Sequence, residues 1–243
     1  MASYAENTYG DRIADVYDEL YSEVNPSCID LLAEFAGSGP ALELGIGTGR
    51  IALPLQARGI SVKGIDSSES MVVKLHAKPR GKNIDVYIGS FERFDLDHKY
   101  QLIYVVFNTL FALPTQDQQI ACLQSVSSHL ASGGFFIIEA FVPDLARFND
   151  YQSVRLITLS DDEVRLDVSK LDPVGQQIES RNLILSEEGI QSYPVRLRYI
   201  WPAELDLMAR IAGLSLRDRW GSWSKQPFTR ECNKHISVYT NVS

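Results

Sequence analysis

Apolar residues along the chain switch between two periods, and the switching itself predicts the architecture. Asn25-Pro26 marks a helix start, and Ile29, Leu32, Ala33 and Ala36 recur at helical spacing until Gly37 ends the run. Ala41–Leu44 then reads as a short strand. A helix from about Gly49 to Ala57, a strand over Ser61–Ile65 and a helix from about Ser68 to Ala77 follow. Further strands are expected over Asp85–Ile88 and Leu102–Phe107. Thr115 and Gln118 are spaced as a capping box for a helix carrying Ile120, Leu123 and Leu130. Gly133-Gly134 breaks the chain before the apolar strand Phe135–Ala140. Runs as apolar as Leu102–Phe107 and Phe135–Ile138 fit strands covered on both faces.

The alternation of strand and helix predicts an α/β fold: a Rossmann-like, mostly parallel seven-stranded sheet with helices on both faces. Its rhythm changes at about Tyr151. Val154–Leu159, Val164–Leu171, Gln176–Leu185 and Ile190–Tyr199 read as β segments separated by Asp-Asp, Asp-Pro-Val-Gly and Glu-Glu-Gly turns. Consecutive strands with short turns predict an antiparallel β insertion over residues 151–200, serving as a cap or as a dimer interface. Trp201-Pro202 opens a helix through Leu205, Met208 and Ala212, and strands over Leu214–Trp220 and His235–Asn241 complete the main sheet. The expectation is one domain over residues 1–243.

Composition narrows the function classes. The net charge is −8 over 243 residues, and the Lys and Arg residues are scattered, so nucleic acid is a poor partner. No apolar run approaches the ~20 residues of a membrane-spanning helix, so no membrane partner is expected. MASYAENTYGDR has neither a basic start nor an apolar stretch of the secretory type. Cys28, Cys122 and Cys232 have no paired spacing. The chain is therefore expected in the cytoplasm. The four histidines (His76, His98, His129, His235) have no ligand spacing, and no metal is expected.

The chemistry concentrates in Glu43-Leu44-Gly45-Ile46-Gly47-Thr48-Gly49-Arg50, a glycine loop between a strand and a helix. Glycines there let a ligand approach the backbone. In open α/β sheets the crevice at the strand carboxyl ends is where ligands bind. A dinucleotide fingerprint needs G-x-G-x-x-G, and Arg50 stands at its third glycine position. Glu43 would also repel a pyrophosphate but suits a ligand bearing a sulfonium and an amino group. Asp66, 21 residues after Gly45, ends the next strand, where a carboxylate accepts ribose hydroxyls. An adenosine-type ligand follows. A nicotinamide-dependent oxidoreductase is the alternative, opposed by Arg50 and the missing Tyr-x-x-x-Lys pair. A non-catalytic binding protein is the other.

At these residues the chain resembles the class I S-adenosylmethionine (SAM)-dependent methyltransferases. ELGIGTGRIALPL resembles their first motif, GIDSSESM their second, and HLASGGFFIIEAF the segment forming the fifth strand. The segments Val16–Tyr21 and Trp201–Leu205 extend the likeness to the small-molecule branch that includes amino-sugar N-methyltransferases. The resemblance implies SAM as cofactor, with Gly45 and Gly47 along its methionine part and Glu43 supporting the amino group. Asp66 would hold the ribose, Met71 would pack on adenine, and Tyr17 would reach toward the cofactor. Gly49, Ser67, Ser90, Phe91 and Phe107 complete the expected cofactor set. Where the family often has a Gly-Asp pair after the third strand, this chain has Gly89-Ser90, whose hydroxyl can still accept a hydrogen bond.

Asn108, just past the fourth strand, is expected to face the methyl-transfer centre together with Tyr21. The alternatives are that Asn108 only caps a turn and that Tyr17 and Tyr21 are core aromatics. The acceptor is expected to be a small, largely apolar or aromatic molecule enclosed by the insertion, touching Phe111, Phe141, Tyr199 and Trp223. Whether nitrogen, oxygen or carbon is methylated stays open, and a homodimer is a further expectation. The implied role lies in natural-product biosynthesis.

Overall fold

A computed structural model of the chain describes residues 8–242. Its elements run α1 (Thr8–Ile13), α2 (Tyr17–Leu20), α3 (Pro26–Ala36), β1 (Ala41–Leu44), α4 (Ala52–Ala57), β2 (Val62–Asp66), α5 (Glu69–Ala77), β3 (Val86–Ile88) and β4 (Tyr100–Val105). Then come α6 (Gln116–His129), β5 (Leu130–Phe141), β6 (Gln152–Leu159), β7 (Glu163–Asp172), β8 (Gln177–Ser186), β9 (Gly189–Arg198), α7 (Pro202–Ile211), β10 (Leu214–Trp220) and β11 (Lys234–Asn241).

The main sheet has seven strands in the order β10-β11-β5-β4-β1-β2-β3, and β6 to β9 form a separate four-stranded antiparallel sheet. β1 to β5 pair in parallel, while β11 runs antiparallel to both β5 and β10. Side chains alternate between two cores. On one face Ile103, Val105 and Ile138 pack with Val126, Met208 and Ala209 of α6 and α7. On the other, Leu102, Tyr104 and Ile137 pack with Ile29, Leu32 and Leu55 of α3 and α4. β1 lies between β2 and β4, so the strand order switches there and a crevice opens at their carboxyl ends.

The helix starts follow their capping residues. The Asn25 side chain accepts from the Ser27 amide at 3.0 Å, and Ser68 and Thr115 cap Met71 and Gln118, each at 3.2 Å. Gln118 does not reach back to complete the expected box. It accepts from the Thr115 hydroxyl instead and donates to Glu92.

Two boundaries differ from the sequence expectation. α4 starts at Ala52 rather than near Gly49, because Gly49 has a φ of +77° and belongs to the loop. Leu130 is not helical: α6 ends at His129, and Leu130 pairs with Tyr100 as β5 begins. The register slips between Leu130 and Phe135, where Gly133 turns at a φ of +71°.

The antiparallel sheet has two distinct faces. Paired residues share a face, so Leu171, Ile178 and Leu197 point one way and join the core beneath α6 and α7. Ile184 and Tyr193, on that same face, pack with Ile13 of α1 and Met71 of α5. This sheet therefore stands at the carboxyl ends of β1, β2 and β4. Its opposite face and edge strand carry Val154, Leu156, Leu159 and Ile190, all more than half exposed.

Candidate active site

A cavity of about 330 Å³ lies between the carboxyl ends of the main sheet and the inner face of the antiparallel sheet. Gly45, Gly47, Asp66, Ser67 and Met71 form its floor, with Tyr17, Tyr21, Phe91, Phe107, Asn108 and Phe141 around them.

The floor is shaped by backbone that needs glycine. Gly45, Gly47 and Gly49 have φ of +71°, +54° and +77°, a region other residues enter only at a cost. A Cβ on Gly45 would lie 2.4 Å from Cγ2 of Thr109, and one on Gly49 would strike Leu75. A Cβ on Gly47 would meet nothing within 4 Å, because the backbone there faces open space. Gly45 and Ile46 donate to the Ile65 carbonyl at 2.8 and 3.1 Å, so the loop hangs from the end of β2.

Asp66 stands at that end. Its carboxylate accepts from the Gly47 amide at 2.7 Å and the Ser68 amide at 2.9 Å. A carboxylate has about four acceptor positions, so it can accept further donors such as a pair of vicinal hydroxyls.

Glu43 sits beneath the loop instead of on the cavity wall. It is buried and accepts from the Tyr104 hydroxyl at 3.0 Å. Loss of solvation pushes its carboxyl up to about 8, against the opposing effects of Tyr104 and Arg50. Arg50 reaches outward, donating to the Glu23 carbonyl at 3.1 Å with its guanidinium 4.8 Å from the Phe107 ring. Burial also pushes the Tyr17 phenol up to about 12.

Two N-terminal helices are latched over this floor by side chains that sequence reasoning passed over. Asp18 of α2 accepts from the Thr48 hydroxyl at 2.6 Å and pairs with Lys78 at 2.7 Å. Lys78 in turn donates to the Thr48 carbonyl at 2.8 Å. Burial alone would raise the Asp18 carboxyl, but Lys78 and Thr48 hold it below its ordinary value. Asp11 of α1 accepts from the Ser68 hydroxyl at 2.6 Å. Tyr17 and Tyr21 are thereby fixed with ring centroids 4.9 Å apart, and Tyr21 meets Phe107 edge-on at 5.1 Å. The spacing Asp11, Asp18, Thr48, Lys78 has no local pattern that would have exposed it.

Phe107 and Asn108, past the end of β4, both have left-handed backbone, at φ +58° and +65°. The Asn108 side chain accepts from the Phe141 amide at 2.7 Å, and the Phe107 amide donates to Glu139. These bonds hold the carboxyl ends of β4 and β5 together at the cavity rim.

Several expected residues stand elsewhere. Phe111 is fully buried, its ring 5.0 Å from that of Phe141, which does line the cavity. Tyr199 is buried against Trp201. Trp223 is buried on the far face, donating to Glu139 at 2.9 Å. Ser90 lies off the wall, its hydroxyl accepting from the Glu92 amide at 3.0 Å. Gly49 packs on Leu75 behind the loop. The wall opposite the glycine loop comes instead from Arg147, Arg155, Asp167, Ser180 and Asn182, with Ile178 and Leu197 nearer the core. That wall thus mixes charged and polar side chains with the apolar Ile178, Val195 and Leu197.

Among known proteins, the family model described as "Methyltransferase domain" matches residues 41–134. The solved CcbJ methyltransferase from Streptomyces caelestis is 39% identical, covering 99% of this chain and 100% of that one, with a TM-score of 0.93. The chain belongs to the SAM-dependent methyltransferase family. The cypemycin N-terminal methyltransferase of Streptomyces sp is 27% identical over 241 residues, covering 96% of this chain and 97% of that protein. CalS10 from Micromonospora echinaspora, an amino pentose methyltransferase solved with SAM, shares the fold at 22% identity and a TM-score of 0.69, over 93% and 97% of the two chains. The protein is thus a SAM-dependent enzyme, and the oxidoreductase alternative finds no support. Among the described residues, no helix is long and apolar enough to cross a membrane.

Proposed function

We propose that the enzyme methylates an amine of a small natural-product molecule, held between the glycine loop and the antiparallel sheet. The observation carrying this reading is a cavity lined on one side by Gly45, Gly47 and Asp66 and on the other by the antiparallel sheet. Gly47 facing open space and Asp66 with acceptor capacity fit SAM. In this reading Asp66 takes the ribose hydroxyls, Met71 and Phe91 flank adenine, and Gly45 and Gly47 border the methionine part. Glu43 supports its amino group from below. When bound, SAM supplies an electrophilic methyl group on a sulfonium.

The protein's task is then to orient the acceptor and exclude water, and positioning of this kind is worth about 7–11 kcal/mol. Tyr17, Tyr21, Phe107 and Asn108 would shape the reacting end. Among the described lining residues there is no histidine, cysteine or lysine. A neutral amine needs no base before it attacks, whereas a hydroxyl commonly does. The relative named as an N-terminal methyltransferase agrees with nitrogen as the target. The whole chain acts as one domain in this reading, with residues 151–200 as the cap. The exposed apolar positions of β6, an edge strand, would pair two copies, and the free cysteines suit the cytoplasm.

The test is turnover of SAM carrying a ¹³C-methyl group with a panel of small primary and secondary amines, read by NMR. Label appearing at an N-methyl shift is expected; label on oxygen or carbon would overturn the choice of nucleophile. Sedimentation of the purified chain tests the dimer, and a monomer at high concentration would exclude it.

A further inference from the structure

The antiparallel sheet presents the cavity with charge that the methyl-transfer reading does not use. Arg155 and Asp167 are direct cross-strand partners on the inner face, next to Asn182 in the same row. Asp167 is 8% exposed, and its Oδ1 accepts from Ser169, which also shares a hydrogen bond of 2.8 Å with Ser180. Arg147 joins them from the segment between β5 and β6. That segment is anchored on both sides of Arg147, because Leu145 and Phe148 pack against the core and Phe148 donates to the Leu145 carbonyl. It then turns back through Asp150 and Tyr151, at φ +47° and +62°, closed by paired bonds between Asn149 and Gln152. Left-handed backbone at two central residues is the tight-hairpin geometry, so the placement of Arg147 is defined by the turn. Its guanidinium lies 4.7 Å from the Phe148 ring.

Among the described residues neither Arg147 nor Arg155 has a carboxylate within ion-pair distance. Arg147 feels Asp167 and Arg155, and beyond them Asp144, which is exposed and caps the Ala146 amide. Two guanidiniums and one carboxylate on this wall leave a surplus of one positive charge. Arg196 also borders the cavity, but its guanidinium is paired with Glu179, its cross-strand partner on the opposite face of the sheet, so it adds no unpaired charge.

We propose that Arg147 and Arg155 bind a carboxylate of the acceptor, remote from the nitrogen that is methylated. The proposal rests on the small-molecule reading above and adds a specificity determinant to it. The guanidinium fork matches a carboxylate bidentately. A single surplus charge suits a monoanion, and Asp167 beside the two arginines disfavours a phosphate monoester dianion. Asp167 then sets the net charge that the wall will accept.

The test uses the full chain saturated with S-adenosylhomocysteine and titrated calorimetrically, at constant ionic strength, with benzoate, benzamide and inorganic phosphate. Benzoate is expected to bind at least tenfold more tightly than benzamide. Arg147→Met and Arg155→Met should each weaken benzoate at least fivefold while S-adenosylhomocysteine affinity stays within twofold. Asp167→Asn should strengthen benzoate and admit phosphate. Equal binding of benzoate and benzamide, or benzoate affinity indifferent to both arginine variants, would overturn the proposal. Phosphate binding more tightly than benzoate to the unaltered protein would overturn the choice of a monoanion. Failure of the unaltered protein to bind S-adenosylhomocysteine would count against the cofactor reading instead, so the two failures are distinct. Once the acceptor panel identifies a substrate, the acid should be turned over with a lower KM than its methyl ester.

Discussion

The two walls of the cavity are built on opposite principles. The wall proposed to hold the cofactor is mostly main chain: glycines in left-handed conformations, two amides hung from one carbonyl, and a carboxylate that organises two further amides. The wall formed by the antiparallel sheet is side chains on a regular surface, with Arg155, Asp167, Ser180 and Asn182 at positions where another residue would leave the backbone unchanged. Backbone geometry admits few residues, so the first wall is intolerant of change. The second can be rewritten without refolding, which suits a surface that selects the acceptor.

The contrast can be broken most sharply at Asp66. Asp66→Ala removes two charge-assisted amide bonds as well as the proposed ribose contacts, and such bonds are worth about 1.5–3 kcal/mol each. S-adenosylhomocysteine affinity should fall by two orders of magnitude or more in calorimetry; a loss under threefold would mean that the carboxylate is not part of the cofactor wall.

Gly45→Ala comes next. The φ of +71° and the 2.4 Å approach to Thr109 both act against it, and strain of this kind costs about 1–3 kcal/mol. Adding Thr109→Ser removes the offending methyl group and should recover part of the lost affinity, leaving the conformational cost. Full recovery would assign the whole effect to the clash.

Asn108→Ala leaves the Phe141 amide without its partner, at a cost of about 1–3 kcal/mol. Because the bond joins β4 to β5 at the rim, kcat should fall more than cofactor affinity. Asn108→Asp keeps the acceptor atom and should restore the melting temperature. Equal losses in kcat and affinity would make Asn108 a general stabiliser of the floor.

A smaller effect lies in protons. The Glu43 carboxyl titrates near 8 when folded and at its ordinary 4.5 when unfolded. Between those values the folded protein holds a proton that the unfolded chain has lost, so stability without ligand declines as pH rises through this window. A cationic ligand above Glu43 favours the carboxylate, so SAM binding near pH 7 should release up to about one proton. Calorimetry in buffers of different ionisation enthalpy measures that release, and Glu43→Gln should abolish it. The smallest change is expected from Ser169→Ala on the opposite wall, which should leave S-adenosylhomocysteine affinity within twofold.

These differences explain what could be read in advance. The glycine spacing, the acid before it and Asp66 after the next strand lie within a short stretch of chain, and their backbone demands appear directly as residue types. The strand and helix alternation and the meander after Tyr151 were legible for the same reason, since periods of two and near four are local properties of the chain. The aromatic candidates were less so. Phe111, Tyr199 and Trp223 are large and apolar, and the sequence alone does not separate a residue that fills a core from one that walls a cavity; all three are buried off the cavity.

The sequence by itself determined the elements, the sheet and the glycine loop, because each is decided by hydrogen bonding and steric limits over a few residues. Only the tertiary structure decided which side chains meet across long separations. Asp18 holds Thr48 and Asn108 reaches the amide of Phe141, contacts between segments 30 and 33 positions apart, and Arg147 and Asp167 come to line one cavity. Polar residues of this kind are spaced like any solvated surface, and what gives them a role is the closing of the antiparallel sheet over the crevice.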